Sequence, residues 1–154
     1  MGISDHSIPP SGRILAIDPG RRRIGLALSD PGRILAQPLL TLDARGPRKD
    51  AEAIARIAVE HDVVAIVVGL PVNMDGSHGT SYQEAEQMID RVRAASGLPV
   101  VGWDERLTSV QAERTLIEAG MPREKRRRGG AVDRVAAALI LESFLGSLPP
   151  SGGD

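Results

Sequence analysis

The sequence predicts an α/β domain built on a five-stranded mixed sheet with helices on both faces, and three observations carry that expectation. Short apolar runs come first, "RILAID", "RIGLALSD" and "RILAQPLLTL", bounded by Pro and Gly as consecutive strands are. Beyond them the pattern alternates between apolar residues at helical spacing and continuous apolar runs. Tight turns make the early strands antiparallel neighbours, whereas the later strands, separated by helices, need crossovers and lie parallel.

Each element follows in order. Residues 1–12, polar and proline-bearing, predict a flexible leader; 13–146 form a single domain, and 147–154, ending "LPPSGGD", a second flexible tail. From Pro47 to Val59, Ala51, Ile54, Ala55, Ala58 and Val59 fall at helical spacing, and "VVAIVVG" from Val63 to Gly69 reads as a buried strand. The turn-rich "LPVNMDGSHGTS" leads to a helix from about Ser81 to Ala95, closed by Gly97 and Pro99 before the strand "LPVVGW". In "TSVQAERTLIEAG", Thr108 and Gln111 make a capping box and Gly120 stands where a helix stops. The final helix, "AVDRVAAALILESFL", is apolar on nearly every side and is expected to pack deeply against the sheet.

Composition narrows the chemistry. A chain of 154 residues is long enough to bury a sizeable core. It has no cysteine, which excludes disulfides, thiolate zinc sites and cysteine nucleophiles and permits a reducing compartment. No run reaches the roughly 18 apolar residues of a membrane span, so a soluble, cytoplasmic protein is expected. Net charge is only −1, yet basic residues cluster at Arg21, Arg22 and Arg23 and again in "REKRRR", which ends in Arg126, Arg127 and Arg128. Such patches suit a polyanion although the bulk count hides them. Aromatics amount to 2%, namely Tyr82, Trp103 and Phe144, so a nucleic acid is expected to be held mainly by its backbone.

Three places carry carboxylates where strand and helix ends could converge. Asp18 closes the first apolar run, a position that also suits an ordinary turn before Pro19 and Gly20. "WDER" puts Asp104 and Glu105 at the end of a strand, beside Arg106. Asp133 falls in the first turn of the last helix, where an acid favours the helix dipole whatever else it does. Crossover topology gathers the ends of parallel strands at one edge of a sheet, the edge where α/β folds keep their sites. Carboxylates meeting there repel unless a cation neutralises them, and oxygen-only ligands select Mg²⁺ or Mn²⁺. Such ions activate water for phosphodiester hydrolysis, and nearby arginines would hold phosphates. Adjacent strand residues point to opposite faces, so Asp104 and Glu105 should not both reach one ion. Glu105 has the longer reach, and Arg106 could bridge to a substrate phosphate or tie down the unused carboxylate.

The segments "LAIDPGRRRIGLALSD", "VVGLPVNMDGSHG", "DERLTSVQAE" and "AVDRVAAALILESFL", in that order, resemble the YqgF/RuvX family, relatives of Holliday junction resolvases with an RNase H-like fold. The resemblance spans roughly Arg13 to Leu145 and implies a strand order of 3-2-1-4-5. It also implies a divalent-metal nuclease site and a role in maturing the 5′ end of pre-16S ribosomal RNA. Carried over onto this chain, the catalytic acidic set is Asp18, Asp104, Glu105 and Asp133; with Glu105 favoured by its reach, the expected metal ligands are Asp18, Glu105 and Asp133. The nucleic-acid contacts expected are Arg21, Arg22, Arg23, Arg106, Arg126, Arg127 and Arg128. Branched DNA is the neighbouring substrate, a non-catalytic nucleic-acid-binding factor the competing class, and a homodimer is plausible on the precedent of relatives that act on two strands. The glycines of "RGG" before "AVD" depart from a more regular basic segment.

Overall fold

A computed structural model describes residues 8–107 and 131–149. The capping-box segment and the basic block with Arg126, Arg127 and Arg128 lie outside the described residues. Five strands, β1 (Arg13–Asp18), β2 (Arg23–Ser29), β3 (Ala36–Asp43), β4 (Val63–Leu70) and β5 (Val100–Asp104), form one sheet in the order β3-β2-β1-β4-β5. The first three pair antiparallel, while β4 runs parallel to both β1 and β5. Three helices accompany them: α1 (Pro47–Glu60), α2 (Thr80–Ser96) and α3 (Ala131–Ser147).

Strand alternation divides the core. Leu15 and Ile17 of β1 face α1 and α2, packing with Ile54, Ile89 and Val92. Ile14 and Ala16 face the other way, onto Ile140, Leu141 and Phe144 of α3. The helix with little amphipathic character is thus the one that covers the sheet's second face. α1 starts at Pro47, whose fixed φ suits a first helical position, after Gly46 at φ 122°. Asp50 in its first turn is buried because its Oδ1 accepts from the Arg45 N–H at 2.8 Å. α2 ends on Gly97 in the left-handed region at φ 71°, as the glycine and following Pro99 predict.

The body begins before β1. Ile8 is buried in the α3-side core, and the Pro9 and Gly12 carbonyls accept from the Arg33 guanidinium at 2.6 and 2.9 Å. Trp103 stacks edge-on against Phe144 with its indole N–H donated to Ser143 Oγ at 3.0 Å, which ties β5 to α3. Two of the three aromatic residues therefore serve packing. Among the described residues, no helix is long and apolar enough to cross a membrane.

Candidate active site

Parallel pairing sets the site. Ile17 of β1 is level with Val68 of β4, and Leu70 of β4 with Asp104 of β5, so the carboxyl ends of three strands reach one edge of the sheet. Asp18 stands at that edge as the last residue of β1. The chain then turns through Pro19 and Gly20, where a side chain on Gly20 would strike the Arg23 carbonyl. Tight closure of this turn is what returns the chain as β2, so Asp18 precedes a hairpin turn and also stands at the edge where the parallel strands end.

Asp133 arrives from the far end of the chain. It lies in the first turn of α3, and this turn can approach the sheet because Gly25 of β2 has no side chain. A Cβ at Gly25 would overlap the Asp133 carbonyl and crowd the Arg134 nitrogen. Gly25 is itself the cross-strand partner of Asp18. One missing methyl thus brings the start of α3 over the end of β1. The sequence signal for it is the glycine inside the apolar run "RIGLALSD".

Where β5 ends, the pair "DE" separates. Asp104 is the last strand residue, and Glu105 opens a single 3-10 turn through Leu107. Asp104 turns to Arg106, accepting its backbone N–H at 2.9 Å and its guanidinium at 2.7 Å, and these bonds hold its carboxyl below the usual carboxylate range. Glu105 goes the other way and hydrogen-bonds Asp18. Although the Asp18 residue as a whole is only partly covered, its carboxyl sits deep among protein atoms. Burial pushes its pKa well above the ordinary value, and Glu105 and the charge of Asp133 raise it further. Neighbouring acids are thereby driven in opposite directions, Asp18 towards holding a proton and Asp104 towards losing one.

These side chains interact without forming a closed ligand cage: among the described residues no three acids or histidines are grouped tightly enough to hold an ion as they stand. In chemistry the set fits a hard divalent cation, because its donors are all carboxylate oxygens and ionised Asp18 would be a buried charge in need of a counterion. Asp18, Glu105 and Asp133 would hold it.

The arginine block meets this edge unevenly. Arg23 Nε lies 4.0 Å from Asp133 Oδ2, Arg21 pairs with Glu84 of α2 at 3.3 Å, and Arg22 is exposed. Glu84 had no sequence signal linking it to Arg21. Asp30, the last residue of "RIGLALSD", is a turn residue whose Oδ1 accepts the Ile34 and Leu35 N–H groups at 2.8 and 2.7 Å.

Comparison with known proteins agrees with this architecture. Residues 12–147 match the model of the family described as "RuvX: Holliday junction resolvase". A relative from Syntrophus aciditrophicus named "Putative pre-16S rRNA nuclease" is 43% identical over 88% of this chain and 89% of its own length. One of the same name from Koribacter versatilis is 46% identical over 87% and 86%. Among solved structures, T. thermophilus RuvC in complex with a Holliday junction substrate aligns with a TM-score of 0.56 at 17% identity, covering 90% of this chain and 99% of that one. The fowlpox virus resolvase bound to Holliday junction DNA gives 0.53 at 12%, covering 88% and 97%. At those identities the likeness is one of fold, the RNase H-like fold of the resolvases. With the relatives' identity and the family match over residues 12–147, the chain belongs to the RuvX family.

Proposed function

We propose that this protein is a divalent-metal-dependent nuclease that hydrolyses phosphodiester bonds during 5′-end processing of pre-16S ribosomal RNA in the cytoplasm. The observation that carries the proposal is the hydrogen bond between Asp18, on the first strand, and Glu105, past the end of the fifth, with the charge of Asp133 on the last helix near enough to act on Asp18. The relatives' shared name supplies the RNA.

Mg²⁺ or Mn²⁺ bound there would activate a water and neutralise the departing oxygen. The protein's own part is positional. Asp18 provides a buried carboxylate at a fixed strand end, and Glu105 reaches across from β5 to share its site. Asp133 brings the third charge, and Arg23 beside it limits that charge and faces the same edge. Arg106 holds Asp104 turned aside, which leaves Glu105 as the acid of the pair that meets Asp18. Arg21 and Arg22, on the turn that follows Asp18, would meet the phosphates of a strand crossing the edge.

The test is cleavage of a 16S precursor RNA carrying its 5′ extension, with a four-way DNA junction as the competing substrate. Cutting of the RNA in Mg²⁺ or Mn²⁺, lost in Asp18→Asn while binding persists, is the expected result. Full activity in Asp18→Asn would overturn the catalytic assignment, preferential cutting of the junction would reassign the substrate, and tight RNA binding by the wild type with no cutting would make the protein a passive binder.

A further inference from the structure

Beyond the carboxylates, the same edge carries a small rigid hairpin. It follows Leu70, the β4 residue level with Asp104, and closes through a bridge between Val72 and His78. Its turn is locked from inside. The Asn73 N–H donates to the Ser77 carbonyl at 3.0 Å and Gly76 N–H to the Asn73 carbonyl at 2.8 Å, with Gly76 in the left-handed region at φ 87°. Asp75 Oδ1 accepts both the Ser77 N–H and its hydroxyl, at 2.9 and 2.6 Å.

Two side chains on this frame are unlike an ordinary polar turn. Met74 at the tip is 95% exposed. The exposed His78 imidazole lies flat on the Tyr82 ring, with centroids 3.6 Å apart and planes inclined by 13°. A lone exposed apolar residue means little. Here it shares a preorganised hairpin with a stacked ring pair, and His78 is near enough to Asp104 for their charges to interact. The hairpin's own carboxylate, Asp75, is held below the usual carboxylate range by its bonds to Ser77 and has the Arg106 guanidinium close by, so its charge is already opposed within the protein. An uncharged, flat, partly apolar group suits the surface.

We propose that the 72–78 hairpin with Tyr82 is a nucleobase-binding subsite beside the scissile phosphate, His78 stacking on one unpaired base and Met74 packing on its neighbour. Aromatic and imidazole faces take unstacked bases in this way, and apolar side chains wedge against base steps. The subsite rests on the nuclease reading and adds to it a preference for unpaired nucleotides near the cut. The low aromatic content implies contact mainly with the backbone; Tyr82, a third of that small supply, stands under His78 on this frame.

The test uses the full chain titrated in Ca²⁺ with a stem–loop RNA that has a single-stranded 5′ extension and one 2-aminopurine per molecule, moved position by position. Quenching at one or two adjacent extension positions is expected for the wild type. His78→Ala and Met74→Ala should each remove that quenching and weaken binding about tenfold. His78→Phe should keep both, and the slope of log K against log salt should stay at its wild-type value because no phosphate contact is lost. Unchanged quenching and affinity in both alanine variants would overturn the subsite while leaving the nuclease reading intact, and so would a salt slope that falls with the affinity. A wild type that binds no RNA would overturn both together. Met74 is too exposed for its alanine variant to fail through misfolding, so an unaltered melting temperature accompanies the expected loss.

Discussion

Gly25 stands directly across from Asp18 in the β1–β2 ladder, and the space its missing side chain leaves is occupied by the Asp133 carbonyl. The distance between two acids from opposite ends of the chain is therefore set by a residue with no chemistry of its own. Gly25→Ala should push the first turn of α3 off the sheet, at a cost on the order of 1–3 kcal/mol. Cleavage should fall further than stability explains, by roughly 10²-fold, since small displacements of a catalytic group are that costly. Thermal unfolding and single-turnover cleavage, measured on the same preparation, check the two effects separately.

Asp18 should trade stability for function. Its folded pKa is raised by burial and by its acidic neighbours, so below its ordinary value of 3.8 the proton is bound in both states and costs nothing. As pH rises from there to the raised value, the unfolded chain loses the proton while the folded chain keeps it, and stability falls; above the raised value the penalty is complete. Asp18→Asn removes a titrating group, so in EDTA it should melt above the wild type at neutral pH, with the gap closing as pH approaches 3.8. Mg²⁺ should raise the melting temperature of the wild type more than that of the variant. A gap that widens on acidification would contradict the burial of this carboxyl.

The two acids of "WDER" should prove unequal. Glu105→Gln is expected to cost on the order of 10²-fold or more in cleavage. Asp104→Asn, which leaves Glu105 beside Asp18, should cost less than about tenfold. Its pair with Arg106 is partly exposed, so melting should shift little. Cleavage rates of both variants at saturating RNA decide the matter.

Salt should weaken RNA binding steeply. If the turn after Asp18 meets phosphates, replacing Arg22 with Ala should reduce the slope of log K against log salt by about 0.7–0.9. Glu84→Gln should do the reverse for affinity. It releases Arg21 from its ion pair and should tighten binding a few-fold at low salt. Fluorescence anisotropy at several ionic strengths measures both.

How far all this was legible in the sequence depends on whether the decisive partner is local. The strands and helices flanking Asp18 and Asp133 announce themselves through period and punctuation, and the gathering of strand ends follows from crossover topology. Between Asp104 and Glu105 the period of two says that they diverge, and side-chain reach favours Glu105. A 3-10 turn then carries Glu105 to Asp18 while Arg106, two residues on, holds Asp104, one of the two roles the sequence offered this arginine. The Arg21–Glu84 and His78–Tyr82 contacts differ in the same respect. The first joins residues far apart in the chain and leaves no trace in the sequence, while the second joins His78, in the hairpin before α2, to Tyr82 in the first turn of that helix, a contact that depends on how the hairpin enters the helix. Gly25 was legible in principle, as a glycine interrupting an apolar strand, although nothing local says which carbonyl fills the gap.

That Asp133 rides on the final helix has a consequence for biosynthesis. A nascent chain can pair β1 to β5 and bring Asp18 to Glu105 before α3 has emerged, yet it still lacks the third acid. On the proposed assignment, the site is therefore incomplete until α3 has been made and has docked over Gly25.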